Sequence, residues 1–310
     1  MPIILSGTFS KDGSLLAAVN STGMVLVWRT DTWAGPLFFS LFDQPNSISL
    51  AKDKVVLRFL NESTIAVLAS GVIHVLQVSR PGVSGLFELV HVGVISPPSG
   101  ITYVDSIGSS NLVVGTGAGK LCTVNSQGHV CATMCVGDAI SCTVAVGLER
   151  VLVATKGGNL HLVNLSEQRV VSSLKTKLGG SVTHIAVDPH LNWFCGVVQK
   201  GGSSSLVSGS TKSLLTVFES KPTAVPITRV AFAQVASNGL SIIAAGPTPQ
   251  LLLFSLDLSS AQSRVQFDPE QICAVTDLTS KGDWLACLGV GACIQVLSGF
   301  SLTVVSTLVP

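Results

Sequence analysis

The stretch from Phe9 to Trp28, FSKDGSLLAAVNSTGMVLVW, limits what this chain can become more than any other. Leu15 to Val19 and Met24 to Trp28 are apolar runs of strand length, and tight turns set them off. Lys11-Asp12-Gly13-Ser14 precedes the first run, and Asn20-Ser21-Thr22-Gly23 separates the two. Gly13 can take a positive φ at no steric cost, which such a turn requires.

Weaker copies recur to the end of the chain. The cleanest is Arg150 to Asn164, in which two apolar strands flank a Gly157-Gly158 turn. A further copy, beginning near Val182, carries Asp188 to Trp193 as its first turn, and its low-complexity run Lys200 to Ser205 is expected to be a mobile central loop. Taking Ile3, Val55, Ile101, Ile140, Val182, Thr228 and Cys273 as the starts of successive units gives spacings of 52, 46, 39, 42, 46 and 45 residues. Units of about 40 to 45 residues built from short strands are the sequence signature of propeller blades. The succession of turn, strand, small-residue turn and strand ending in Trp28 resembles the second and third strands of a WD-repeat blade. It departs from that family in two places, since Arg29 and not Asp follows Trp28, and no Gly-His pair precedes the unit. The Asp-His-Ser/Thr-Trp network of well-formed WD blades is therefore incomplete here. The resemblance implies an all-β, seven-bladed propeller with four antiparallel strands per blade, occupying residues 1–310 as a single domain. Leu302 to Leu308 fills the outermost slot of the seventh blade, so closure is expected from direct packing of blade 7 on blade 1 and not from a shared strand. A chain that ends directly on a blade strand also fits the N-terminal propeller of a longer protein.

Composition agrees with sheets buried on both faces. Hydrophobic residues are 47% and charged residues 11% of the 310, and strands covered on both sides read as continuous apolar runs. Such a chain is not intrinsically disordered, and its net charge of +1 gives no bulk attraction to nucleic acid. Every apolar run is broken before the roughly 18 to 20 residues of a spanning helix. The N-terminus lacks the basic and apolar regions of a secretory signal. Eight scattered cysteines then read as reduced thiols of a cytoplasmic or nuclear protein. The glycosylation-like triplets at Asn20, Asn61 and Asn164 read as turn chemistry.

No catalytic, metal or cofactor residues are assigned. His129, Cys131, Cys135 and Cys142 form the densest group of metal-ligand types, but Cys131 and Cys135 share a face of one strand four residues apart, about 13 Å along it. Their reading is small buried apolar residues, and Cys273, Cys287 and Cys293 are read likewise. Gly115 to Lys120 lacks the spacing and the following helix of a phosphate loop. His74, His161 and His184 read as structural imidazoles. Asp12, Glu62, Asp105, Glu149, Asp188 and Asp283 are each expected in or near the first turn of a different blade, on one rim, and the inner strands offer almost no acid or base.

On the opposite rim Lys120, Lys156 and Lys200 occupy equivalent turns, with Lys175, Lys177 and Lys221 in or near the links beside them. Such an arc would attract an acidic surface on a protein partner. The expected function is a non-enzymatic protein–protein interaction scaffold of a multi-subunit assembly. The resemblance to propellers with eroded motifs implies a membrane-trafficking coat, a tether or another multi-subunit assembly, with any membrane association made through partners. The alternative is a guanine-nucleotide exchange factor for a small GTPase of the vesicle-coat type.

Overall fold

A computed structural model of the chain describes residues 3–42, 50, 54–79, 87–96, 100–108, 111–214, 217–236, 239–259, 261–291 and 293–308, with the backbone alone at 262–264, 273 and 291. These residues form seven four-stranded antiparallel sheets, each a simple meander, and no α-helix. Blade 1 comprises β1 (Ile4–Phe9), β2 (Leu15–Asn20), β3 (Met24–Arg29) and β4 (Leu37–Ser40). Blade 2 comprises β5 (Val56–Phe59), β6 (Thr64–Ala69), β7 (Val72–Ser79) and β8 (Glu88–Ile95), and blade 3 comprises β9 (Ile101–Ile107), β10 (Asn111–Thr116), β11 (Lys120–Val124) and β12 (Val130–Cys135). Blade 4 runs through β13 (Ile140–Val146), β14 (Arg150–Thr155), β15 (Asn159–Asn164) and β16 (Arg169–Lys175). Blade 5 runs through β17 (Ser181–Val187), β18 (Trp193–Lys200), β19 (Ser203–Ser210) and β20 (Val217–Glu219). Blade 6 holds β21 (Arg229–Val235), β22 (Gly239–Ala245), β23 (Gln250–Phe254) and β24 (Ala261–Gln266). Blade 7 holds β25 (Ile272–Lys281), β26 (Trp284–Gly291), β27 (Ile294–Ser298) and β28 (Val304–Leu308).

The apolar runs are continuous because alternate side chains serve different neighbours. On β2, Leu16 and Ala18 pack in a cluster with Ala286 and Leu288 of blade 7, whereas Leu15, Ala17 and Val19 pack with Leu57 and Phe59 of blade 2. The pleat thus sends both faces of one strand into core. The core is a set of such interblade layers. Trp28, which is 1% exposed, lies in the layer between blades 7 and 1.

The turns work as the sequence suggests. Asn20, Asn61 and Asn164 each turn their Oδ1 back onto backbone N–H groups: those of Thr22 and Met24, of Ser63 and Thr64, and of Ser166 and Glu167. Such Asx turns replace a backbone turn partner with a side chain. The Lys200 to Ser205 run differs from expectation. Only Gly201 and Gly202, both at positive φ, form the turn. Ser203–Ser210 is strand, and Ser204 and Ser205 are buried. The Ser204 hydroxyl accepts the Ile227 N–H at 2.7 Å and bonds the Thr223 hydroxyl at 2.9 Å, so small polar residues are held by the next link. The fourth strand of blade 2 also runs further than the sequence suggests, to Ile95, past a bulge opposite Val75 and Leu76.

The ring closes without a shared strand. β28 completes blade 7 by pairing with β27, and Leu308 packs in one cluster with Ile4, Leu16 and Trp28. Thr276 Oγ1 donates to the Ile4 carbonyl at 2.5 Å, and Trp33 meets Trp284 edge-on at 5.7 Å.

Candidate functional site

The inner strands correct one sequence expectation. Asp105 is not a turn residue; it sits in the middle of β9, 7% exposed, and its carboxylate faces the axial channel. The other five expected turn carboxylates, Asp12, Glu62, Glu149, Asp188 and Asp283, do lie between first and second strands. The channel is also far richer in acids and bases than expected, because Arg58, Tyr103, Asp105, His184, Arg229 and Asp277 all line it.

Four of these residues form two copies of one device. Asp105 Oδ1 receives Arg58 Nε of the preceding blade at 3.2 Å and its own neighbour's N–H, Ser106, at 2.9 Å. Its Oδ2 receives the Ala145 N–H of the following blade at 2.9 Å. Asp277 repeats this with Arg229 Nε at 3.0 Å, the Leu278 N–H at 3.0 Å and the Gly7 N–H at 3.0 Å. Arg58 Nη1 and Arg229 Nη1 each donate to the carbonyl of the preceding residue, Leu57 and Thr228. One clasp therefore binds blades 2, 3 and 4, and the other binds blades 6, 7 and 1. Burial raises the Asp105 carboxyl above its ordinary range, against the pull of Arg58 and the two N–H donors. At the intervening seams Ser6 Oγ accepts the Leu57 N–H at 3.2 Å, Ser141 Oγ donates to the Val182 carbonyl, and His184 Nδ1 accepts the Val230 N–H at 3.4 Å. That contact puts the ring proton on Nε2, and burial holds the imidazole neutral with a pKa pushed down to about 3.

Arg58, His184 and Asp277 reach both ends of the channel and divide it into a chamber of 560 Å³ and one of 260 Å³. The larger chamber adjoins the ends of the strands nearest Lys54, Thr228 and Pro247. Lys54 is exposed as a residue, but its ammonium lies 4.8 Å from the Tyr103 ring centroid and donates to the Ser141 carbonyl at 2.6 Å. Burial of that ammonium lowers its pKa to about 8, with the Cys142 thiol pulling the other way and Arg229, Lys156 and Arg58 adding to the depression.

All six lysines of the expected arc are exposed. Lys120, Lys156 and Lys200 stand at the turns between second and third strands, and Lys175, Lys177 and Lys221 at the ends or links of the fourth. In a meander those positions share a rim, which is also the rim of Lys54. None of the six forms an ion pair among the described residues. The two nearby carboxylates are turned onto backbone: Asp138 onto the Ala139 and Gly157 N–H groups, and Glu219 onto the Lys177 N–H.

The cysteines divide. Cys142 is buried, its thiol pushed up to about 12 by burial, and Cys287 and Cys293 are buried too, whereas the Cys273 side chain lies outside the described residues. Cys131 and Cys135 are exposed on β12, contrary to expectation, because that strand is the outer edge of its blade and no further sheet covers it. Among the described residues no group of three His, Cys, Asp or Glu side chains could hold a metal ion. His161 bonds Ser173 through Nδ1 at 2.8 Å, and His74 lies against His91 and Phe42.

Outer strands leave apolar side chains uncovered. Val90, Val92 and Val94 of β8, on either side of its bulge, are 45%, 60% and 52% exposed, and Phe38 on β4 is 71% exposed. No helix among the described residues is long and apolar enough to cross a membrane. The chain matches no protein-family model, and no curated protein matches it.

Proposed function

We propose that this propeller is a non-enzymatic platform that docks partner proteins, with the rim of Lys120, Lys156, Lys175, Lys177, Lys200 and Lys221 as its working face. The observation that carries the reading is that six exposed ammonium groups share one rim while the adjacent carboxylates are spent on backbone N–H groups. A field of that kind orients and accelerates docking of an acidic surface even on a chain of net charge +1. The bare valines of β8 add apolar area of the sort that partners cover. Its setting is a cytoplasmic multi-subunit assembly of the membrane-trafficking coat or tether kind, reaching a membrane through its partners.

The test is purification of the tagged protein from cells with crosslinking mass spectrometry. Crosslinks from Lys120, Lys156 and Lys200 to one stable partner are expected. Crosslinks confined to the opposite rim, or none to any partner, would remove the lysine face from consideration. A nucleotide-release assay over small GTPases separates a platform from an exchange factor, and the platform predicts no acceleration.

A further inference from the structure

The two clasps differ in one acceptor, and that difference lies in the larger chamber. At the first clasp Arg58 Nη2 donates to the Tyr103 hydroxyl, so all three guanidinium nitrogens have partners. Tyr103 precedes Asp105 by two residues, and the residue two before Asp277 is Val275, which has no acceptor on its side chain. Arg229 Nη2 is accordingly left without a partner among the described residues, with the side chain 31% exposed and lining the chamber.

The charge balance of the channel points the same way. Lys11, Lys54, Arg58, Arg229 and Lys281 line its two chambers against the carboxylates of Asp105 and Asp277 alone. Both carboxylates are already taken by an arginine and two backbone N–H groups each. In the larger chamber itself Lys54, Arg58 and Arg229 stand against the single carboxylate of Asp277. With Arg58 paired to Asp105 and Arg229 to Asp277, the Lys54 ammonium is left as uncompensated charge among the described residues. Positive charge in a confined, partly dry space is costly unless an anion joins it. Leu5, Val55, Val56, Pro247 and Val290 supply an apolar wall around the same space, and 560 Å³ is within the range of small-molecule sites, roughly 300 to 1,000 Å³.

We propose that the larger chamber of the central channel binds a small oxyanion, a carboxylate or phosphate group on a compact apolar body, with the Lys54 ammonium and the open edge of the Arg229 guanidinium as its charged contacts. A guanidinium edge presents parallel N–H groups that fit either oxyanion, and Lys54 adds a movable point charge. Thr228 stands beside them on the chamber wall. The site does not depend on the docking role of the rim.

The test uses the full chain, with inorganic phosphate and hexanoate as probes and chloride at equal ionic strength as the reference. Calorimetric titration and thermal unfolding are read together. At least one probe binds with one-to-one stoichiometry and raises the melting temperature above the chloride value. Phosphate binding alone assigns the phosphate class, and hexanoate binding alone assigns the carboxylate class. Lys54→Met weakens binding by about tenfold or more, the usual effect of losing a charge-assisted hydrogen bond, and Lys54→Arg retains most of it. Both variants leave the two clasps intact, so circular dichroism should match wild type. A Lys175→Ala/Lys177→Ala variant binds as wild type does, which keeps this site distinct from the rim. Binding of neither probe, undiminished binding to Lys54→Met, or loss of binding in the rim variant overturns the proposal.

Discussion

Gly7 and Asp277 are 270 residues apart in sequence, and the Gly7 N–H donates to the Asp277 carboxylate at 3.0 Å. This bond joins the first inner strand to the last and belongs to the clasp that also holds Arg229. Gly7 suits the place, since a Cβ there would come within 2.3 Å of Leu288. Asp277→Ala removes the acceptor of two backbone N–H groups and strands Arg229. Losing one member of a buried pair costs about 3 to 5 kcal/mol, and the partial exposure of Arg229 places this case at about 3 kcal/mol or somewhat less. Asp105→Ala should cost a similar amount at the seam of blades 2, 3 and 4. Glu149→Ala, in an exposed turn, should stay within about 0.5 kcal/mol. Urea unfolding of the three variants checks this, and equal stability of all three would remove the clasps as supports of the ring.

Closure by packing predicts that the last strand matters to the first blade. Leu308 is 3% exposed and shares its cluster with Ile4 and Trp28. Leu308→Ala should cost about 2 to 4 kcal/mol, the range for a buried leucine truncation. Removing residues 301–310 should lower the melting temperature further, because β27 then loses its ladder partner. Phe300, 58% exposed, should be replaceable by Ala with little effect. An unchanged melting temperature after the truncation would show that the ring closes in some other way.

The blades were legible because their signal is local: an apolar run, a turn residue with a stated backbone need, another run. Inner-strand starts expected at Val55, Ile101, Ile140, Val182 and Thr228 lie within one residue of the observed β5, β9, β13, β17 and β21. The clasps were not legible in the same way. Asp105 sits in Tyr103-Val104-Asp105-Ser106, which reads as a turn when a carboxylate beside a serine is weighed on local propensity alone. Its partner is a blade away, and tertiary pairing overrode the local signal. A non-local signal was present: Arg58 precedes Asp105 by 47 residues and Arg229 precedes Asp277 by 48, close to one repeat in each case. A charged residue inside an inner strand with its opposite one period later is a readable pattern. Exposure of Cys131 and Cys135 was missed because burial in this fold depends on radial position in the blade, and residue type does not report it.

That radial ordering sets thiol reactivity. Cys131 and Cys135 are exposed, whereas Cys122, Cys142, Cys195 and Cys287 are buried. Burial also raises the thiol pKa of Cys142, Cys195 and Cys287, which disfavours the reactive thiolate. A thiol reagent such as DTNB should therefore modify Cys131 and Cys135 in the native protein, and those four buried cysteines only after unfolding. Cys131→Ser/Cys135→Ser should lose this fast phase and keep the slow one. Peptide mapping that located the fast phase on Cys142 or Cys195 would contradict the order of strands within the blades.

His184 gives the fold a specific acid sensitivity. Its ring is neutral in the native channel, with the pKa pushed down to about 3 by burial first and then by Arg229, while Asp277 pulls the other way. In the unfolded chain a histidine titrates near 6.5. Between these values the unfolded state binds the proton and the native state does not, so stability rises with pH across the interval. The contribution is complete above about pH 6.5 and is lost as pH falls toward 3, at up to about 1.4 kcal/mol per unit. The ring keeps partial exposure to the channel, which makes that slope an upper bound. His184→Asn places an amide oxygen near the position of Nδ1, preserves an acceptor for the Val230 N–H, and cannot titrate. Between pH 6.5 and about 4.5, above the ordinary range of most carboxylates, wild type should lose stability faster than His184→Asn in denaturant unfolding. Parallel curves over that interval would mean that His184 accepts its proton in the folded channel, with Asp277 and not burial governing its charge.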